Sequence, residues 1–81
     1  MYLPIGGNLS VRDRSIVGIF DLDNTSYSKH TRAFLRRAEE NGEVARATDD
    51  LPKAFVLTQE YGLDRVFLTQ FNAATLEKRM K

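Results

Sequence analysis

Ala54-Phe55-Val56-Leu57-Thr58-Gln59 and Arg65-Val66-Phe67-Leu68-Thr69-Gln70-Phe71 flank the short polar connection Glu60-Tyr61-Gly62-Leu63-Asp64. Both runs are rich in β-branched and aromatic residues and too short for buried helices. They read as strands. The short connection lets the two runs pair, and an antiparallel hairpin is expected. That hairpin commits the second half of the chain to an antiparallel sheet, and the rest is read outward from it.

Upstream, Asp49-Asp50-Leu51-Pro52 is a loop, preceded by an extended segment, Glu43 to Thr48. Tyr27 to Asn41 reads as a helix. Tyr27, Thr31, Phe34, Leu35 and Ala38 form its apolar stripe, while Arg32, Arg36, Glu39 and Glu40 face outward. Ser26 or Ser28 can cap its first turn, and Gly42 ends it. Arg36 is spaced to pair with Glu39 and Glu40. Ser15 to Leu22 is a strand broken by Asp23-Asn24-Thr25-Ser26. At the amino end, Tyr2 to Ile5 and Leu9 to Val11 are short strands about the turn Gly6-Gly7-Asn8. Downstream, Asn72 caps a last helix, Ala73 to Lys81, with Phe71 and Leu76 at the positions of a hydrophobic staple. The expected fold is α+β: a small, mostly antiparallel sheet of four to five strands, one central helix and a short C-terminal helix, in a single domain spanning residues 1–81.

A chain of 81 residues buries only about 60% of its unfolded surface, so its core is thin. It has no cysteine and one histidine, His30. Disulfides and a thiolate metal site are excluded, and His30 alone makes no metal site. Neither metal nor cofactor is expected. Self-association is the remaining way to enlarge a small core. The two-faced runs Ala54 to Leu57 and Val66 to Leu68 are expected to supply part of that contact. Twelve Lys and Arg oppose eleven Asp and Glu, for a net charge of +1. A strongly basic nucleic-acid binder is thereby excluded, unless its cations gather on one face or are repeated by symmetry. No run approaches the ~20 apolar residues of a membrane helix. The first residues lack the basic and apolar segments of a signal peptide, so a cytoplasmic location is expected.

Phe20-Asp21-Leu22-Asp23-Asn24-Thr25, after an apolar strand, resembles the first motif of the haloacid dehalogenase superfamily. The resemblance implies Asp21 as nucleophile and Asp23 as acid/base. That fold needs a parallel sheet built from several βαβ units of about 30 residues each, which this length does not supply. The acidic residues read instead as a strand end before a helix N-terminus, where negative charge is favourable. No enzymatic activity is expected.

Arg12 and Arg14 flank Asp13 at the start of the Ser15 strand, where alternation places both on one side of the chain. Arg46 follows the central helix, and Lys53 follows Pro52. These four are the candidate phosphate contacts, expected at one edge of the sheet; the competing reading is ordinary solvated charge. His30 reads as a surface residue. Tyr2, Phe20, Phe34, Phe55, Phe67 and Phe71 read as core.

Three stretches, in the same order along nearly the whole chain, resemble the RemB/RemA family of bacterial matrix-gene regulators. They are Met1-Tyr2-Leu3 with Asp13-Arg14-Ser15-Ile16-Val17-Gly18-Ile19-Phe20-Asp21, then Leu51-Pro52-Lys53-Ala54-Phe55-Val56-Leu57-Thr58, then Asn72-Ala73-Ala74-Thr75-Leu76-Glu77-Lys78-Arg79. The likeness is greatest to its RemB branch. The resemblance implies an α+β subunit, a ring-like homo-oligomer and a role in extracellular matrix (biofilm) gene expression through double-stranded DNA. It places the DNA-contacting arginine before the first long strand at Arg14. An Arg-Arg pair that the RemA branch carries in the later loop is replaced here by Asp49-Asp50-Leu51-Pro52. An oligomeric scaffold acting through a protein partner, such as a RemA-type subunit, is the alternative.

Overall fold

The computed structural model describes residues 1–22 and 29–80. Asp23, Tyr27 and the caps expected at Ser26 and Ser28 lie outside them. So does Lys81. The strands are β1 (Tyr2–Gly6), β2 (Leu9–Arg12), β3 (Ile16–Asp21), β4 (Val44–Arg46), β5 (Ala54–Glu60) and β6 (Leu63–Thr69). The helices are α1 (Lys29–Glu40) and α2 (Ala73–Arg79), and a 3₁₀ turn, Asp13–Ser15, joins β2 to β3. The α+β arrangement is as expected. Its strands form two sheets, however: β1 pairs with β2, and the main sheet has the order β3-β5-β6-β4. All neighbours are antiparallel except β4 and β6, which run parallel.

The main sheet is covered on both faces. Ala54 and Val56 lie on one face, under the β1–β2 hairpin and α2, in a core with Leu3, Ile5, Val11 and Leu76. Phe55 faces the other way, beneath α1, with Val66, Leu68 and Ala38. A strand buried on both faces needs a continuous apolar run rather than an alternating one, and that explains Ala54 to Leu57. These runs therefore do not form a free contact surface. Ala54, Phe55, Val56, Val66 and Leu68 are buried by the chain itself.

Local chemistry sets the ends of the elements. After α1, Gly42 takes φ 70°. Its N–H donates to the Glu39 carbonyl at 3.1 Å, and the Glu43 N–H donates to the Ala38 carbonyl at 2.9 Å. These are the two bonds of a Schellman stop. At α2, the Asn72 side chain accepts from the Thr75 N–H at 2.8 Å, as its capping position predicts. Phe71 and Leu76 meet in the same core, and the Arg79 guanidinium lies 4.7 Å from the centre of the Phe71 ring. On α1 only Ala38 is fully buried, and Phe34 is partly exposed. Arg36 makes no ion pair with Glu39 or Glu40; among the described residues the ion pairs involve other groups.

The β1–β2 hairpin carries a bulge. Pro4 pairs with Ser10 and Gly6 with Leu9, which leaves Ile5 without a ladder partner. Ile5 is fully buried. Its carbonyl accepts a hydrogen bond from the buried Thr69 hydroxyl at 2.6 Å, and the same hydroxyl oxygen accepts from the Phe71 N–H at 3.1 Å. One threonine thus joins the hairpin, the end of β6 and the start of α2.

The β5–β6 connection is tighter than expected. Glu60 pairs with Leu63, so the loop is only Tyr61-Gly62. Both take positive φ, 54° and 78°. This is the geometry of a type I′ turn, whose preferred sequence is Asn-Gly. Left-handed backbone costs a residue such as tyrosine roughly 1–2 kcal/mol, and asparagine less. Tyr61→Asn is expected to stabilise the protein by about 0.5 kcal/mol, after the loss of a solvent-exposed hydrogen bond. The thermal midpoint should rise by about 2–4 °C. A fall in the midpoint would mean that the Tyr61 ring contributes more than its backbone strain costs.

Candidate functional site

The four candidate cations do not converge. Arg12 ends β2 and Arg14 lies in the 3₁₀ turn. Both stand near the Glu60 end of β5, because the Ser15 hydroxyl donates to the Glu60 carboxylate at 2.5 Å. Lys53 stands at the opposite end of β5, where its N–H donates to the Thr69 carbonyl at 2.8 Å. Arg46 lies on the edge strand β4, paired with Leu68. β5 rises about 3.3 Å per residue, so its two ends are about 20 Å apart. The alternation expected for Arg12 and Arg14 also fails, because the 3₁₀ turn interrupts the extended chain between them.

Their surroundings differ as well. Arg14, Arg46 and Lys53 are exposed, with no acidic partner among the described residues. Arg12 is engaged. Its Nη1 lies 3.8 Å from Glu60 Oε2. The Tyr2 hydroxyl first, then the Glu60 carboxylate and the Tyr61 hydroxyl, favour the charged guanidinium and raise its pKa above the ordinary arginine value.

Around Arg12 opens a cleft of about 430 Å³, between the β1–β2 hairpin and the tip of the β5–β6 hairpin. Val11, Ser15 and Thr58, all buried, lie deepest. Arg12, Glu60 and Arg65 supply charge, and Tyr2, Tyr61 and Leu63 rim the mouth. Tyr2 is 61% exposed, Tyr61 86% and Leu63 70%. Tyr2 is therefore a surface residue and not core, while Phe20 and Phe34 are partly exposed and each pack one side on Phe55. Period-two alternation carries the signal for Tyr2: Leu3 and Ile5 point inward, so Tyr2 and Pro4 point out. Arg65 becomes legible once the register pairs it with Thr58.

A second, apolar groove of about 300 Å³ lies between α1 and the sheet, lined by Phe20, His30, Thr31, Phe34, Phe55 and Leu57. The Phe20 and Phe55 rings stack with centroids 4.8 Å apart. Phe20 folds back over Gly18, where a Cβ would come within 2.8 Å of the ring. Glycine at this position is what lets the ring lie there.

Asp21 is exposed at the end of β3, and its strand pairs antiparallel with β5. The parallel frame required by the phosphatase motif does not surround it. Among the described residues, no three His, Cys, Asp or Glu side chains gather to hold a metal ion, and no helix is long and apolar enough to cross a membrane.

Fold and site together give a small α+β domain with a mixed-charge cleft, an apolar groove and exposed cations at Arg14, Arg46 and Lys53. No protein-family model matches the sequence, and no curated protein matches it.

Proposed function

We propose that the chain is a cytoplasmic, homo-oligomeric regulator of bacterial extracellular matrix (biofilm) genes that contacts double-stranded DNA through its phosphates. The observation that carries this reading is Arg14. It stands exposed, with no acidic partner among the described residues, at the position where the resemblance to the RemB/RemA family puts a DNA contact. Lys53 and Arg46 offer equally uncommitted charge, and Arg12 offers less.

Assembly is what makes so weakly charged a subunit competent. One or two phosphate contacts per chain bind poorly. A head-to-tail ring repeats each contact and gains through effective concentration, often by ~10² to 10⁴. Exposed apolar side chains at Val17, Leu51 and Leu63 are the kind of surface that subunit contacts use. No enzymatic step or cofactor belongs to this reading.

A scaffold that acts through a protein partner, such as a RemA-type subunit, is the second reading. One observation favours it. Asp49 and Asp50 are both exposed in the loop between Arg46 and Lys53, and they oppose an approaching phosphate.

The test is oligomer mass together with duplex affinity at about 50 and 200 mM salt. Binding should be largely indifferent to sequence. Its logarithm should fall with log salt by about 0.9 for each phosphate neutralised. Arg14→Ala should reduce that slope without changing the mass. A ring that ignores duplex at low salt leaves the scaffold reading; a lone monomer removes both.

A further inference from the structure

The cleft around Arg12 has features that holding two hairpins together does not require. Its volume, about 430 Å³, is in the range of small-molecule sites. Arg65 lines it with no acidic partner among the described residues. Arg12 meets Glu60 at 3.8 Å, well beyond the 2.7–2.9 Å of a close charge-assisted bond. Arg65 is thus the open anion contact, and Arg12, held also by the Tyr2 and Tyr61 hydroxyls, adds its charge and its remaining N–H donors. Two cations against one carboxylate give the cleft a positive balance that suits one phosphate monoester better than a polyphosphate.

The mouth asks for something flat. Tyr2 and Tyr61 present their rings at the rim, beside the exposed Leu63. Tyr61 holds its ring there from a left-handed backbone position, φ 54°, where asparagine or glycine is the less costly choice. A strained residue kept at the edge of a cleft points to use of its side chain. An inorganic anion needs no aromatic rim, and an uncharged ring needs no pair of arginines. Glu60, with Ser10 at the cleft wall, offers acceptors and a hydroxyl for sugar hydroxyls or base N–H groups.

We propose that this cleft binds a nucleoside monophosphate, with its phosphate on Arg65 and Arg12 and its base against the Tyr61 and Tyr2 rings. The site goes beyond duplex recognition and does not depend on it. A nucleotide reaches it either free or as one unit of a single strand, and the chemistry of recognition is the same.

The experiment is a titration of the intact protein with AMP and GMP, followed by amide chemical shifts and calorimetry. Adenosine, inorganic phosphate and a short single-stranded oligonucleotide are the parallel arms. The nucleotides should shift the amides of Arg12, Tyr61 and Arg65. They should bind at least about tenfold more tightly than phosphate or adenosine, since base stacking and the charge contacts each add to the affinity and each control ligand lacks one of them. Arg65→Ala should weaken binding about tenfold or more. Tyr61→Asn, which suits the turn, should weaken it several-fold while the fold is retained. Arg14→Ala should leave it unchanged, and that separates this site from any failure of duplex binding. An oligonucleotide that binds more tightly than AMP and loses that affinity in Arg65→Ala supports the site and assigns its source to a strand; one whose affinity Arg65→Ala leaves intact counts against it. Absence of saturable binding at millimolar nucleotide overturns the proposal. So does phosphate binding as tightly as AMP, or full affinity in Arg65→Ala.

Discussion

Thr69→Val should lower the unfolding free energy by about 2–4 kcal/mol, although it removes almost no volume. The whole chain is expected to have only about 4–12 kcal/mol. The hydroxyl of Thr69 donates to the Ile5 carbonyl at 2.6 Å and accepts from the Phe71 N–H at 3.1 Å. Ile5 sits at the bulge, so its carbonyl has no ladder partner to fall back on. Both Ile5 and Thr69 are fully buried, so no water replaces the missing group without opening the hairpin. Valine therefore strands a buried acceptor and a donor while packing much as threonine does. Thr69→Ser keeps both bonds and loses one methyl, at roughly 1 kcal/mol. Urea unfolding of the three proteins at one fixed protein concentration checks the prediction, because self-association shifts apparent stability. Equal losses for valine and serine would show that packing, rather than the hydrogen bonds, is what Thr69 provides.

Leu76→Ala should cost about 2–5 kcal/mol and release α2. The helix has seven residues. Isolated helices shorter than about 12–15 residues are marginal in water, so α2 persists through its packing. Leu76 is its buried residue, inserted among Leu3, Ile5, Val11, Ala54 and Val56. Truncation empties the centre of that core, and the Asn72 cap and the Arg79–Phe71 contact remain at the two ends of α2. Far-UV dichroism should lose helical signal, and the amides of α2 should exchange faster than those of α1. Leu76→Met, close in volume, should cost less than about 1.5 kcal/mol. Unchanged exchange in α2 after Leu76→Ala would show that the terminal contacts suffice to hold it.

Much of the architecture was legible because local chemistry and tertiary packing agree. Gly42 and Asn72 stop and start helices through hydrogen bonds that depend on one or two residues, so they read directly. The runs at Ala54 and Val66 read as strands for the same reason. What remained hidden depends on partners distant in the chain. An apolar run looks the same whether a neighbouring subunit or the chain's own layers bury it, and here two layers of the same chain do so. Tyrosine is a poor type I′ residue, so Tyr61 argued for a longer loop than the one formed. The gathering of Arg12, Arg14, Lys53 and Arg46 failed on topology. β5 carries its neighbours to opposite ends of the sheet, which no spacing rule reveals. The cleft needed Arg65 and Thr58 in register across a hairpin, plus the β1–β2 layer folded over them.

The bridge from Thr69 to Ile5 also bears on how the protein is made. Ribosomes deliver a chain from its amino end at about 5–20 residues per second. Leu3, Ile5 and Val11 leave the ribosome seconds before Thr69 and Leu76, the groups that complete their shelter. During that interval the nascent hairpin has greasy side chains on display and nothing to bury them, which is when a chaperone would find it.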